Sequence, residues 1–207
     1  GTVLMVAATV FFMLVAVGAK IWHMAGLGIA GLGLVVGAII AAPYRMRRIF
    51  AFLDPWADPS GKGYQTIQSL LALGPGGLFG LGLGQSRQKF LYLPENHTDF
   101  IFAMIGEELG FVGASLVVLL FFLFIWRGFR AAINAPNTFL GLMAVGLTSL
   151  IGIQAMINMG VVTGVLPVTG ITLPFLSYGG TSLLFTMTGA GLLLNISGAA
   201  DKFEEVI

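Results

Sequence analysis

An aspartate stands where a long polar stretch meets an apolar one. Asp99 comes directly before the apolar run that begins at Phe100. A carboxylate at the edge of a membrane is partly desolvated, which makes it a stronger base and suits it to general-base catalysis. The alternative is structural, since an aspartate before a helix caps the first backbone N–H groups. His97 lies nearby, but no spacing makes it a metal ligand, and a histidine at a helix entry is the simpler interpretation.

Two adjacent carboxylates, Glu107 and Glu108, follow within the same apolar run. Charges inside a membrane helix need partners or a water-filled cavity, and they are functional hypotheses by default. At about 100° per residue, Glu107 falls about 80° round the helix from Asp99, and Glu108 faces the opposite side. An acid–base pair with Asp99 is therefore not predicted, and pairing with other helices is the interpretation that we favour.

Amide side chains and prolines mark a second polar region. Gln154 and Asn158 share a helix face at i, i+4 spacing, where amides either join helices or line a polar cavity. Pro167 and Pro174 forbid a continuous helix beyond them, and irregular backbone at membrane depth needs protein or a water-filled cavity around it. Residues 177–182 then place small hydroxylic residues and glycines at a helix start. This segment is either an anion site, suited to a diphosphate, or a tight membrane turn.

Basic residues form a third group. Arg87 and Lys89 follow the glycine-rich run 80–84, which lacks the strand and the Gly-Lys-Ser/Thr of a nucleotide loop. Phosphate binding and extension towards lipid headgroups are the two interpretations of these cations.

Composition places these groups in a membrane. The chain has 207 residues, of which 57% are hydrophobic and 9% are charged, whereas soluble domains carry about 25% charged residues. A net charge of +1 argues against a nucleic-acid partner. Cysteine is absent, which excludes disulfides and thiolate metal sites.

Five stretches are long and apolar enough to be membrane-spanning helices, each of which takes about 20 residues. They cover roughly residues 3–19, 24–42, 100–126, 138–162 and 176–196. The sequence therefore predicts an all-α polytopic membrane protein in which residues 1–207 form one membrane domain. The chain begins at Gly1 within the first apolar run, and we interpret this start as lying inside a longer protein.

The connection between the second and third stretches, residues 43–99, is long enough to be functional. Apolar residues at helical spacing between Tyr64 and Leu71 predict a short helix on the membrane surface, ended by the glycines and proline at 74–77. Basic residues in the short loops favour placing this long connection outside the cytoplasm, where its own cations suggest an anionic ligand. These cations are Arg45, Arg47, Arg48, Lys62, Arg87 and Lys89.

Three groups of residues occur in an order typical of one membrane-protein family. The first group is Gly74-Pro75-Gly76-Gly77 with Gly82-Leu83-Gly84-Gln85-Ser86. The second comprises Leu93-Pro94-Glu95, His97-Thr98-Asp99-Phe100-Ile101-Phe102-Ala103 and Glu107-Glu108-Leu109-Gly110. The third comprises Asn158, Gly164-Val165, Pro167, Gly170-Ile171 and Phe175-Leu176-Ser177-Tyr178-Gly179-Gly180-Thr181-Ser182. Together they resemble the FtsW/RodA/SpoVE (SEDS) family, with the FtsW and SpoVE branch nearer than RodA.

The resemblance implies a ten-helix bundle of which this chain holds the last five helices. Residues 43–99 would be its large extracytoplasmic loop, with short interfacial helices. The implied activity is polymerisation of lipid II into glycan strands in the bacterial cytoplasmic membrane, for division or sporulation. The implied partners are a class B penicillin-binding protein, which is a transpeptidase, other divisome or elongation proteins, and membrane lipids. Because the family builds its cavity from both halves, the chain alone is expected to be inactive.

The resemblance also places the family's essential loop aspartate on Asp99, which favours the general base over the helix cap. No metal-ligand set is visible, and a divalent cation, Mg²⁺ or Mn²⁺, stays open as an additional positive charge. A flippase for lipid-linked precursors, in which Glu107 and Glu108 matter most, and a non-catalytic division scaffold are the alternative functions. The expected substrate-binding residues are Arg45, Arg48, Arg87, Lys89, His97, Gln154, Asn158, Ser177, Gly179, Gly180, Thr181 and Ser182.

Overall fold

The computed structural model describes residues 1–61, 63–86 and 98–204, and the regular structure in these ranges is helical. The predicted all-α class is therefore confirmed. A short 3-10 turn, Pro55–Ala57, separates the third helix from the fourth. The helices are α1 (Thr2–Ala16), α2 (Ile21–Ile40), α3 (Pro43–Leu53), α4 (Tyr64–Gly76), α5 (Ile101–Ile133), α6 (Thr138–Val162) and α7 (Gly180–Glu204).

Four of the described helices, α2, α5, α6 and α7, are long and apolar enough to cross a membrane. The apolar helix α1 is shorter, with 15 residues. Each of the five predicted stretches is thus helical, and α6 has the predicted bounds. The last helix begins at Gly180, later than the predicted start near residue 176, because irregular backbone continues through Gly179.

Helices α5 and α6 form the centre of the bundle. Helix α1 packs on α6, α4 packs on α5, and α7 contacts both central helices, while α2 contacts α1 and α3 and buries only Met24. The main apolar core lies where the beginning of α5 meets the second half of α6. Its buried members are Ala72, Phe100, Phe102, Ala103, Phe121, Ile151, Ala155, Val161, Val162 and Leu173. Because Phe100 belongs to this core, the residue before it is anchored at the edge of the core.

The short helix predicted in the long connection is present as α4. Its buried side chains include Ile67, Ser69 and Ala72, and they face the central helices. The Ser69 hydroxyl donates a hydrogen bond of 2.6 Å to the carbonyl oxygen of Val162. Helix α4 is therefore fixed to the bundle by both apolar and polar contacts, and its position at a membrane surface stays a prediction.

Helix α5 is broken at Gly110, where the backbone has φ +69°. The backbone of residues 77–82 fills this break. The N–H groups of Leu81 and Gly82 donate to the carbonyls of Glu107 and Glu108, each at 3.0 Å. On the other side of the break, the N–H groups of Phe111 and Val112 donate to the carbonyls of residues 77 and 78 at 2.9 and 3.1 Å. The break therefore exchanges helical hydrogen bonds for hydrogen bonds to a distant segment.

The segment between α6 and α7, residues 163–179, contains no helix, as the two prolines predicted. Gly170 has φ +72°. Phe175 has φ +66°, which is rare for a residue with a side chain. Its ring contacts the rings of Phe121 and Phe124 on α5, with centroid distances of 6.4 and 5.6 Å. These aromatic contacts hold the strained residue and fix the segment against α5.

Candidate functional site

Asp99 lies just before the start of α5, in a turn whose backbone carbonyls accept hydrogen bonds from side chains of other elements. Its carbonyl oxygen accepts a hydrogen bond of 2.7 Å from Nδ2 of Asn158 on α6. The carbonyl oxygen of Thr98 accepts a hydrogen bond of 2.5 Å from the Ser177 hydroxyl. The N-cap of α5 is Phe100, and no side-chain cap hydrogen bond forms there. The N-cap position itself is therefore occupied by Phe100 and not by Asp99.

The Asp99 side chain lies near bare backbone of the 163–179 segment. A Cβ atom added to Gly170 would lie 3.6 Å from the Oδ2 atom of Asp99. Gly170 is exposed and Asp99 is half-buried, so the carboxylate lies at the edge of the bundle instead of inside its core. The positive φ of Gly170 is a conformation that glycine adopts without a steric cost. The Asp99 carboxylate therefore lies beside a position that carries no side chain.

Hydrogen bonds from α6 and α7 hold the backbone next to Gly170. Nε2 of Gln154 donates to the carbonyl oxygen of Thr172 at 2.9 Å and approaches the hydroxyl of the same residue at 3.3 Å. The Thr172 hydroxyl lies 3.1 Å from the Ser182 hydroxyl in the first turn of α7. Among the described residues, the buried hydroxyl of Thr169 has no hydrogen-bond partner. Four elements therefore converge here: the turn at 98–99, α6, the 163–179 segment and the start of α7.

The structure brings the polar residues predicted from the C-terminal region to this place. Gln154, Asn158, Ser177 and Ser182 each bond to the turn at 98–99 or to the 163–179 segment. Gly179, Gly180 and Thr181 are wholly or partly exposed at the start of α7. Substrate binding by these residues stays a prediction.

The predicted basic residues Arg45 and Arg48 both lie on α3, but their side chains make different contacts. Arg45 donates a hydrogen bond of 2.8 Å to the carbonyl of Ala38 and stacks on Tyr44, with its guanidinium carbon 5.4 Å from the ring centroid. Arg48 instead reaches Val168, whose carbonyl oxygen lies 3.5 Å from Nη1. It lines a cavity of about 370 Å³ between α3, α4 and the 163–179 segment. Of these two cations, Arg48 is the one with a contact to the 163–179 segment, two residues before Gly170.

Arg87, Lys89 and His97, which were predicted to contact substrate, lie outside the described residues, as does Lys62. Within residues 1–61, 63–86 and 98–204, no three His, Cys, Asp or Glu side chains converge as a metal site.

Glu107 is nearly completely buried, with 1% of its surface exposed. Its Oε2 atom accepts a hydrogen bond of 2.6 Å from the hydroxyl of Ser86, which is itself fully buried. Glu108 is half-buried, and its Oε1 atom has no hydrogen-bond partner among the described residues. The two carboxylates therefore differ, and Glu107 ties the start of α5 to the end of the glycine-rich run.

Loss of this buried hydrogen bond is expected to destabilise the protein. Glu107→Leu should lower the free energy of unfolding by about 1–3 kcal/mol, because it removes the acceptor of a buried hydroxyl. Ser86→Ala should lower it by less. The double variant should lose less free energy of unfolding than the two single variants added together, since the two residues share one interaction. Thermal unfolding of the purified full-length protein in detergent measures all three, and additive losses would contradict a direct coupling.

Three residues that matter to this geometry were not predicted as site residues: Thr98, Gly170 and Thr172. Thr98 and Thr172 contribute backbone carbonyls, which no side-chain pattern reveals. Gly170 had a usable signal, since a glycine between two prolines at membrane depth is a position where backbone approaches another group closely.

The chain matches one protein family along nearly its whole length. The family model described as "FTSW_RODA_SPOVE: Cell cycle protein" matches residues 1–202. The chain belongs to the FtsW/RodA/SpoVE family. The four apolar helices and this membership make it a multi-pass protein of the bacterial inner membrane.

Relatives in this family include sporulation and division proteins. The chain is 57% identical over 197 residues to "Stage V sporulation protein E" of Bacillus subtilis (strain 168), covering 95% of this chain and 54% of the relative. It is 49% identical over 197 residues to "Probable peptidoglycan glycosyltransferase FtsW" of Geobacter sp. (strain M18), with coverages of 95% and 54%. The predicted FtsW and SpoVE likeness within the family is thereby confirmed.

One solved structure shares the fold of this FtsW/RodA/SpoVE chain with a TM-score of 0.76 and 32% sequence identity. It is described as "Structural coordination of polymerization and crosslinking by a peptidoglycan synthase complex". The match covers 97% of this chain and 56% of that one. The chain thus spans about half the length of the relatives that it matches.

Proposed function

We propose that the protein to which these residues belong polymerises lipid II into glycan strands, and that Asp99 is its general base. Relatives at 45–49% identity are named probable peptidoglycan glycosyltransferases, which supports this reaction class. The observation that carries the proposal is the Asp99 carboxylate, half-buried at the bundle edge and facing the bare backbone of Gly170. A base must reach its proton from a fixed position, and the backbone bonds of the turn at 98–99 supply that fixation.

In the proposed reaction, the Asp99 carboxylate takes the proton from the 4-hydroxyl of the acceptor sugar. The acceptor oxygen forms a bond to the anomeric carbon of the donor. The bond from that carbon to the lipid diphosphate breaks, the diphosphate leaves with the electron pair, and the configuration at carbon inverts. Neutralising the charge of the diphosphate makes it a better leaving group. Within the described residues, Arg48 reaches the carbonyl oxygen of Val168, two residues before Gly170, and Arg87 and Lys89 are the further candidates from sequence.

Residues 43–99 are proposed as the large extracytoplasmic loop of one membrane domain, residues 1–207. Helix α3 carries Arg45, Arg47 and Arg48, and it begins with Pro43 directly after α2. On the outer side of the membrane, this basic helix and Asp99 would face a lipid-linked donor that has already crossed the bilayer. The same placement leaves Arg127 and Arg130, at the end of α5, on the cytoplasmic side.

The proposed partner is a class B penicillin-binding protein that cross-links the strands. The support is the solved structure of similar fold, whose description joins polymerization and crosslinking in one peptidoglycan synthase complex. Assays of the proposed activity should therefore include this transpeptidase partner.

Transport of the lipid-linked precursor is the second candidate, and one observation favours it. Helix α5 is broken at Gly110, close to the buried Glu107, and broken helices with intramembrane charges are features of transporters. A transporter has to move its substrate between the two membrane faces. Polymerisation needs only an outer site.

Two assays on the full-length protein with its partner separate these candidates. One measures glycan strands formed from purified lipid II, resolved on a gel. The other measures movement of fluorescent lipid II across the membrane of proteoliposomes. Polymer formation without translocation supports the proposal. Translocation without polymer would replace it by the transport function. If neither activity were detected, the non-catalytic scaffold would be the remaining alternative.

A further inference from the structure

Two adjacent backbone carbonyls beside the proposed base are each held by a side chain from a different element. Asn158 of α6 donates to the carbonyl of Asp99 at 2.7 Å. Ser177, in the segment before α7, donates to the carbonyl of Thr98 at 2.5 Å. The donors lie 59 and 79 residues from their acceptors in the chain. No local rule of helix or turn formation requires either bond.

The same two side chains also bond to the backbone that follows Gly170. The second Nδ2 hydrogen bond of Asn158 goes to the carbonyl of Ile171 at 2.7 Å. The Ser177 hydroxyl accepts a hydrogen bond of 2.7 Å from the N–H of Leu173. Ile171 directly follows Gly170, which faces the Asp99 carboxylate, and Leu173 lies two residues further on. One pair of side chains therefore sets the positions of the base and of the backbone across from it.

The hydrogen-bonding capacity of these side chains argues against a direct role in binding substrate. An amide offers two donor hydrogens and a hydroxyl offers one. Both Nδ2 bonds of Asn158 go to backbone carbonyls, and so does the single donor of Ser177. The two residues are 1% and 7% exposed. Only the buried Oδ1 of Asn158 has no partner among the described residues, and an acceptor atom is unsuited to an anionic diphosphate.

We infer that Asn158 and Ser177 are positioning residues that clamp the Thr98–Asp99 backbone and so fix the carboxylate for proton transfer. The inference rests on the proposed function of Asp99 as the base. Because α5 begins only at Ile101, Asp99 lacks the fixation that a position inside a helix gives. The clamp supplies it. Misplacing a reacting group by about 1 Å costs about 100-fold in rate.

The test compares substitutions in the clamp with a matched control in the full-length protein and its partner. The clamp variants are Ser177→Ala and Asn158→Leu. The control is Ser69→Ala, because Ser69 is also a buried serine that donates to a carbonyl distant in the chain, that of Val162. Polymerisation rates over a range of lipid II concentrations give kcat and KM for each variant. Asp99→Asn is measured in parallel.

We expect Ser177→Ala to lower kcat about 10-fold and Asn158→Leu about 100-fold, both at unchanged KM, because positioning acts on the chemical step. Ser69→Ala should keep the kcat of the wild type. A raised KM with kcat retained would overturn the inference by making these residues substrate ligands. A kcat of Ser177→Ala equal to that of Ser69→Ala would also overturn it. If Asn158→Leu does not fold, Ser177→Ala decides. Wild-type polymerisation by Asp99→Asn would instead refute the proposed function itself.

Discussion

Asp99→Asn is expected to reduce glycan-strand formation by about 10²–10⁴-fold, which is the usual contribution of a general base. Asparagine has nearly the same shape as aspartate and leaves the backbone carbonyl that Asn158 holds in place. It cannot accept the proton of the acceptor hydroxyl. Folding and partner binding should therefore be unchanged while the chemical step is lost. The measurement is polymerisation of purified lipid II by the full-length protein with its transpeptidase partner.

Asp54→Asn is the matched control for this substitution. Asp54 lies in the same long connection, directly after α3, and it is exposed. Its loss removes one negative charge from the same region without touching the turn at 98–99, so activity should be retained. Equal losses in both variants would point to a general electrostatic effect. Undiminished polymer from Asp99→Asn would contradict the general-base role and favour the flippase or the scaffold.

The second large effect is expected on folding, from Gly110→Ala. A Cβ atom at Gly110 would lie 2.3 Å from the backbone nitrogen of Gly80 and 2.6 Å from the carbonyl oxygen of Leu78. These contacts are too short, and both neighbours are backbone atoms that cannot rotate away. Gly110 has φ +69° and ψ −165°, a region that is essentially restricted to glycine, and a side chain there adds a cost of roughly 1–3 kcal/mol. With the backbone hydrogen bonds of the break weakened as well, the total loss of stability should be about 3 kcal/mol.

Gly191→Ala is the control for the break. Gly191 lies inside α7, is not next to a proline, and a Cβ atom there would meet nothing within 4 Å. Alanine in a helix is favoured over glycine, so stability should hold or rise slightly. The fraction of protein that stays monodisperse after heating, measured by size-exclusion chromatography in detergent, compares the two. Equal survival of Gly110→Ala and wild type would mean that the break is not required for folding.

The apolar runs predicted the helices well because each run must satisfy its own backbone hydrogen bonds within a membrane. Helix α6, Thr138–Val162, was predicted to the residue. The break at Gly110 was missed because glycine within an apolar run usually means close helix packing. Its cause is the backbone of residues 77–82, which is distant in the chain and offers only main-chain groups. The late start of α7 has a similar origin in the strained Phe175, held by rings on α5.

The sequence identified several residues that lie at the candidate site, but it did not predict which groups their side chains bond. Asn158 and Ser177 were identified as polar residues in an apolar setting, and that setting suggested substrate contacts. Which group an amide or hydroxyl bonds is decided by three-dimensional neighbours. Here the neighbours are main-chain carbonyls 59 and 79 residues away. The position of Gly170 opposite Asp99 could not be predicted either, because only the folded backbone brings the two residues together.

The hydrogen bonds that fill the break in α5 also close a ring in the chain. Leu81 and Gly82 donate hydrogen bonds to the carbonyls of Glu107 and Glu108, so the two ends of the stretch of chain that contains Asp99 are fixed to each other. Closing such a loop costs chain entropy that depends on its length. That cost is met once, when the protein folds. The proposed base is thus preorganised before any sugar arrives, and the break at Gly110 limits how far the carboxylate can move.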